Sequence, residues 1–220
     1  MARAEQVGPV SEQFSEYLAA VERCVHVLPD AIDAYGHDTE RFAAAIRAVS
    51  NHEDETVECA RKLRATLAGI DGFEAGRVYL MRGELVTYLT ALSEIATSAE
   101  RVLVELDTIE PALGPIREGL AEMAHVAGVA FETLAAASRS YVRALATVAD
   151  PPSLGASLDR VRRLETAADD LKDDCLRETF TGGYGPEALV HRELVLGMDA
   201  VPNTIEDAAD HLAYMRACTV

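Results

Sequence analysis

Glu110-Pro111-Ala112-Leu113-Gly114-Pro115 divides this sequence in half. Both prolines lack a backbone N–H, and the glycine between them adds conformational freedom, so no helix is expected to run through the segment. The chain on either side of it has helical periodicity.

On the N-terminal side the spacing predicts three helices. The first runs from about Val10 to Tyr35, with Phe14, Leu18, Val21, Val25 and Leu28 as its apolar stripe and Pro29 as a kink or a boundary. Gly36-His37-Asp38 is a turn, and Asp38 can cap the second helix, Thr39 to Ala68. Gly69-Ile70-Asp71-Gly72 ends that helix, and the third spans roughly Phe73 to Asp107. On the C-terminal side a fourth helix reaches about Val148 and stops at Asp150-Pro151-Pro152-Ser153. Ser153 or Ser157 can open the fifth helix, which ends at Thr181-Gly182-Gly183-Tyr184-Gly185. Pro186 suits the first turn of the sixth, where its missing donor is harmless, and that helix runs to about Met215.

The two halves resemble each other. Leu63-Arg64-Ala65-Thr66-Leu67-Ala68-Gly69-Ile70-Asp71-Gly72 matches Leu176-Arg177-Glu178-Thr179-Phe180-Thr181-Gly182-Gly183-Tyr184-Gly185 at five of ten positions, 113 residues apart. Ile95-Ala96-Thr97-Ser98-Ala99-Glu100 aligns with Ile205-Glu206-Asp207-Ala208-Ala209-Asp210 at a separation of 110. Ala-rich helices can match by chance, but a separation near half the chain, at equivalent helix ends, reads as duplication. The expectation is an all-α protein of two tandem antiparallel three-helix bundles, residues 1–110 and 111–220.

Composition agrees with helix and narrows the function. Apolar residues make up 49% of the chain but aromatics only 5%, and alanine fills many apolar positions, which suits close helix packing. The formal charge is −17, from 37 acids against 20 bases. Such a surface repels phosphate backbones and anionic lipid, arguing against a nucleic-acid partner and against binding to an anionic membrane surface. No stretch of 18 uncharged apolar residues and no leader-like segment is visible, so membrane insertion is not expected and a cytoplasmic location is. Lys62 and Lys172 are the only lysines. Acidic, Ala-rich and Lys-poor composition fits a halophilic protein or a GC-rich genome. Cys24, Cys59, Cys175 and Cys218 form no metal or redox spacing, and the first three fall on or beside apolar faces, where a thiol serves as a small hydrophobe.

The sixth helix carries Asp199, Asn203, Glu206 and Asp210 at intervals of four, three and four, an oxygen-rich stripe beside the apolar Leu194, Met198, Ile205 and Leu212. Glu165 and Asp169, four apart, share a face of the fifth helix, where like charges destabilise an isolated helix. If the two helices pack antiparallel, the acidic faces converge. A divalent or trivalent cation (iron, manganese, magnesium or calcium) would offset the repulsion; alternatively the carboxylates are merely solvated. Pro202 either frees a carbonyl near the stripe or is an incidental kink.

Glu165-Thr166-Ala167-Ala168-Asp169 and the acid-rich segment from Met198 to Asp210 resemble motifs of the PhoU-like phosphate transport regulators, and the six-helix plan is similar to theirs over nearly the whole chain. The resemblance implies two tandem three-helix bundles, metal held at these acidic motifs, and regulation of an inorganic phosphate transporter through protein contact. It implies action without catalysis, at most peripheral to the inner face of the membrane. The first half departs from the pattern. His52-Glu53-Asp54-Glu55-Thr56-Val57-Glu58 lacks the acid pair, and Leu89, Ser93 and Ala96 stand where the second half has Asp199, Asn203 and Glu206; only Glu100 matches Asp210.

Other patterns carry less. Glu122-x-x-His125 is a single copy of a pair that di-iron bundles use twice with further glutamates, so a surface or core histidine is expected, and an oxidoreductase is disfavoured. His191 opens the sixth helix and is read as a capping or exposed residue within reach of the acidic stripe. Gly182-Gly183-Tyr184-Gly185 lacks the Lys-Ser/Thr of a phosphate loop. Nothing suggests an enzyme. The residue-level alternative to a metal-binding regulator is a metal-free helical scaffold, and self-association as a homodimer is expected from the Ala-rich faces.

Overall fold

The computed structural model describes residues 2–70, 76–147, 149–182 and 185–219. Six long helices follow one another: α1 (Ala2–Ala34), α2 (Thr39–Gly69), α3 (Gly76–Ile109), α4 (Arg117–Thr147), α5 (Gly155–Thr181) and α6 (Glu187–Ala217), with a 3-10 turn at Gly114–Ile116 before α4. There is no strand among the described residues.

α1 begins at Ala2, eight residues before Val10, where the apolar periodicity places its start. The residues 2–7 include alanine, arginine, glutamate and glutamine, which favour helix by propensity while leaving no periodic signal. Pro29 lies within α1 and does not end it. Gly36, at φ +72°, takes the left-handed turn that follows, and Asp38 Oδ1 accepts the Arg41 N–H at 3.0 Å to cap α2. The predicted start of α3 at Phe73 and the Asp71-Gly72 and Gly183-Tyr184 turns lie outside the described residues. α3 ends at Ile109, and Glu110 turns the chain with φ +49°. At α5 the sequence expectation needs correction. Neither Ser153 nor Ser157 caps it; the cap position is Leu154, which has no side-chain cap bond and is buried at 5% exposure, so apolar packing sets where α5 begins.

The helices form two three-helix bundles, α1–α3 and α4–α6, packed through a four-helix seam. α1 lies against α2, α3 and α4; α4 against α1, α5 and α6; α3 joins α6. α2 and α5 flank this centre on opposite sides. α1 buries a broad face, with Phe14, Tyr17, Leu18, Val21, Cys24, Val25, Leu28 and Ile32 at 2% exposure or less, and leaves Glu12, Glu16, His26, Asp30 and Asp33 exposed on the other. The Gly114–Thr147 segment is long and apolar enough to cross a membrane, but more than half of its most apolar stretch is buried inside the fold, as suits a central helix.

Three tyrosines lock the seam. Tyr17 donates its hydroxyl hydrogen bond to the Leu89 carbonyl at 2.7 Å, and Tyr141 donates to that of Met215 at 2.9 Å. The Ser138 hydroxyl proton is committed to the Leu134 carbonyl, so Tyr88 donates to Ser138 Oγ at 2.6 Å, joining α3 to α4. Each phenol thus buries its ring without orphaning its polar end. Burial lifts the Tyr17 and Tyr88 hydroxyls above the ordinary phenol range, keeping them donors. Cys24, Cys59, Cys175 and Cys218 are free thiols, with Cys24 and Cys175 buried, Cys59 half-buried and Cys218 exposed. Burial pushes the Cys24 thiol up to about 12.

Candidate functional site

α5 is polar over most of its circumference and buries mainly Leu158, Val161, Ala168, Cys175 and Thr179 toward α4 and α6. Glu165, Asp169 and Lys172 follow one another at intervals of four and three, so they line one edge of this buried strip. α6 contributes Asp199, Asn203, Glu206 and Asp210 from the edge that faces α5. The helix continues through Pro202, which is buried on the core side with Met198 and Ile205.

The two edges meet. Asp199 is the pivot: its side chain is only 8% exposed, and Oδ2 accepts from Lys172 Nζ at 3.4 Å and from Asn203 Nδ2 at 3.0 Å. Its other oxygen, Oδ1, is buried with no hydrogen-bond partner in the structure. Burial raises the Asp199 carboxyl above the ordinary aspartate range, with Lys172 acting in the opposite direction. Glu165 is raised by burial and then by the negative charges of Asp169, Glu206 and Asp199. Glu206 is raised by burial and by Asp210 and Asp207, against the pull of Arg162. Glu165, Asp169, Asp199 and Glu206 therefore form one mutually repelling group across the α5–α6 edge.

Two cations bracket the group. Lys172 also ion-pairs with Asp169, and its own ammonium is held above the ordinary lysine range chiefly by that contact. Arg162 Nη2 binds Asp210 Oδ1 at 2.6 Å at the other end. Of the six expected ligands, Glu165, Asp169, Asp199 and Glu206 share the group, Asn203 is bonded to Asp199, and Asp210 is engaged by Arg162. Their oxygens do not converge as a ligand cage. Among the described residues, three ligand atoms within 4.8 Å of one another occur only at Glu22, His26 and Glu132, on α1 and α4.

The first half shows what replaces the acids. Leu89 is fully buried, and Ser93 Oγ bonds the Tyr17 hydroxyl at 2.9 Å, so the equivalent space holds a tyrosine. Ala127 lies 110 positions on from Tyr17 in the second half, so the corresponding side chain there carries no ring. Glu53 and Glu100 persist, bonded by Thr97 at 3.4 Å and Ser50 at 2.7 Å respectively. Burial, followed by repulsion from Glu100 and Asp54, raises the Glu53 carboxyl.

Sequence reasoning did not anticipate Lys172, whose place beside Asp169 is visible only as an i, i+3 spacing on a mixed-charge helix. His191 departs from expectation: it is neither exposed nor a cap but buried at 2% exposure, its Nε2 bonded to the Ala112 carbonyl at 2.8 Å in the link between the bundles. Glu122 and His125 are both exposed.

No protein-family model matches the sequence, and no curated protein matches it significantly. Solved structures do match in shape. A PhoU-like protein from Shewanella oneidensis MR-1 superposes with a TM-score of 0.80 at 14% identity, covering 94% of this chain and 99% of its own. A second protein from the same organism, described as PhoU-like and phosphate-regulatory, gives a TM-score of 0.80 at 14% identity, over 95% of this chain and 99% of its own. Over nearly its whole length, the chain has the all-helical fold of these PhoU-like proteins.

Proposed function

We propose that this protein is a non-enzymatic regulator of inorganic phosphate transport that binds a metal ion on the α5–α6 acidic edge and acts through partner proteins. The carrying observation is the Asp199 carboxylate, which is buried with one oxygen unpartnered beside Glu165, Asp169 and Glu206. A buried carboxylate oxygen lacking a partner is costly, and a hard cation relieves that cost together with the repulsion around it. Glu165, Asp169, Asp199 and Glu206 would hold the ion, with Asn203 and Asp210 orienting or flanking them. The Lys172 ammonium, now between Asp169 and Asp199, would swing out to solvent. Iron, manganese, magnesium and calcium all suit oxygen ligands of this type. A bound cation would also let an otherwise strongly acidic face accept phosphate. The fold shared with PhoU-like proteins from Shewanella supports the regulatory assignment. In this reading the partner is an inorganic phosphate transporter, reached from the cytoplasm at the inner face of the membrane, and the protein is a homodimer.

A metal-free scaffold is the second reading, favoured by the Lys172 ion pairs that already neutralise part of the edge. One experiment separates the two. Purified protein is loaded with iron, manganese, magnesium or calcium, its metal content is measured, and phosphate binding is followed with and without chelator. The regulator reading expects bound metal that is lost in Glu165→Ala/Asp169→Ala, and phosphate retention that chelator abolishes. Equal metal content in both proteins, or phosphate binding indifferent to chelator, would overturn it in favour of the scaffold.

A further inference from the structure

A different set of side chains has the geometry of a transition-metal site. Glu22 and His26 stand one turn apart on α1, and Glu132 faces them from α4. One ligand atom from each lies within 4.8 Å of the other two. His26 Nε2 and Glu132 Oε1 are 3.2 Å apart. Two ligand atoms on a tetrahedral Zn²⁺ with bonds of about 2.0–2.1 Å are separated by about 3.3 Å, so this pair already spans one edge of such a site.

The surroundings fit that use. Glu22 Oε2 is held by Arg139 Nη2 of α4 at 2.8 Å, which leaves Oε1 for a metal and fixes the direction of the carboxylate. The His26 ring packs against Gly128, one turn before Glu132; a Cβ there would lie 3.4 Å from His26 Cδ2, so the bare glycine brings the imidazole close to α4. Glu22 and Glu132 stand 110 positions apart, the same separation that aligns Ile95 with Ile205, so the two carboxylates come from corresponding places in the two halves. The side chains are partly open, with His26 43% and Glu132 55% exposed, which leaves a path for an ion and room for a water as fourth ligand. One imidazole and two carboxylates form a donor set for a borderline divalent ion, unlike the all-oxygen α5–α6 edge.

We infer that Glu22, His26 and Glu132 bind a divalent transition-metal ion of the Zn²⁺ type that staples α1 to α4 and so ties the two bundles together. The site is independent of the α5–α6 edge. The test uses the full chain carrying Glu165→Gln/Asp169→Asn, so that failure of either site is seen separately. Titration with Zn²⁺ against a chromophoric chelator should show one equivalent bound, with a rise in melting temperature because the ion joins two helices. His26→Ala should abolish that equivalent and the rise, and the nearly isosteric Glu132→Gln should weaken binding at least tenfold. Circular dichroism should leave the helical content of both variants unchanged. Zn²⁺ stoichiometry unaltered by His26→Ala, or no Zn²⁺ retained by the starting protein, would overturn the inference.

Discussion

Lys172 Nζ sits 3.4 Å from Oδ2 of the buried Asp199, from the opposite helix, in a chain with only two lysines. The ammonium neutralises a carboxylate that water reaches poorly, and so competes with any cation for the same oxygens. Lys172→Met should raise metal affinity on the α5–α6 edge by about tenfold, equivalent to about 1.4 kcal/mol. Calorimetric titration of wild type and variant with Mn²⁺ measures this. An unchanged or weaker affinity in the variant would mean that the ion does not use Asp199. Without metal the same substitution should lower the melting temperature, since it strands a buried charge.

Gly119 on α4 lets α5 approach. A Cβ at this position would lie 2.1 Å from Cys175 Sγ, well inside van der Waals contact. Gly119→Ala should therefore destabilise the fold by about 1–3 kcal/mol through overpacking. Cys175→Ala removes the obstructing sulfur, so the double variant should be more stable than the sum of the two single changes predicts. Urea unfolding of the four proteins checks the coupling; strict additivity would contradict the contact.

Glu110 occupies the left-handed region at φ +49°, where a side chain is unfavourable by about 1–2 kcal/mol. Glycine has no such penalty, so Glu110→Gly should leave the fold intact and raise its stability, offset in part by greater freedom of the unfolded chain. Thermal denaturation reads the sign. Destabilisation would show that the glutamate side chain contributes more than its backbone costs.

Glu53 is raised in the folded state by burial and by Glu100 and Asp54. A carboxyl with a raised folded pKa takes up its proton before the unfolded chain does. The stability it confers is present below the unfolded value and is lost as pH rises through the folded one. Glu53→Gln should thus stabilise the protein at neutral pH and give little gain at pH 4. Parallel denaturation curves across pH 4–7 test this, and a gain independent of pH would point to packing.

Much of the fold was legible because its signals were local. The Glu110–Pro115 break, the Asp38 cap and the apolar stripe of the first helix all lie within a few residues of the structures they specify. The early start of α1 and the opening of α5 were not legible, the first because Ala2–Val7 carries no stripe, the second because Leu154 acts through distant packing. The acidic residues of α5 and α6 could be listed from spacing, and their shared edge followed from antiparallel packing. What spacing could not convey was Lys172 between Asp169 and Asp199, or Arg162 on Asp210, since these depend on the relative axial offset of two helices. Glu22, His26 and Glu132 escaped notice for the same reason: Glu132 stands more than a hundred residues from its neighbours.

The broad buried face of α1 bears on biosynthesis. While the ribosome is still making the second half, Val21, Val25 and Leu28 belong to a helix whose α4 neighbour does not yet exist. The nascent first bundle must wait with an oily flank open to water, and translation speed through residues 117–147 sets how long that exposure lasts. A chaperone would find its footing there, before the newborn chain can close on itself.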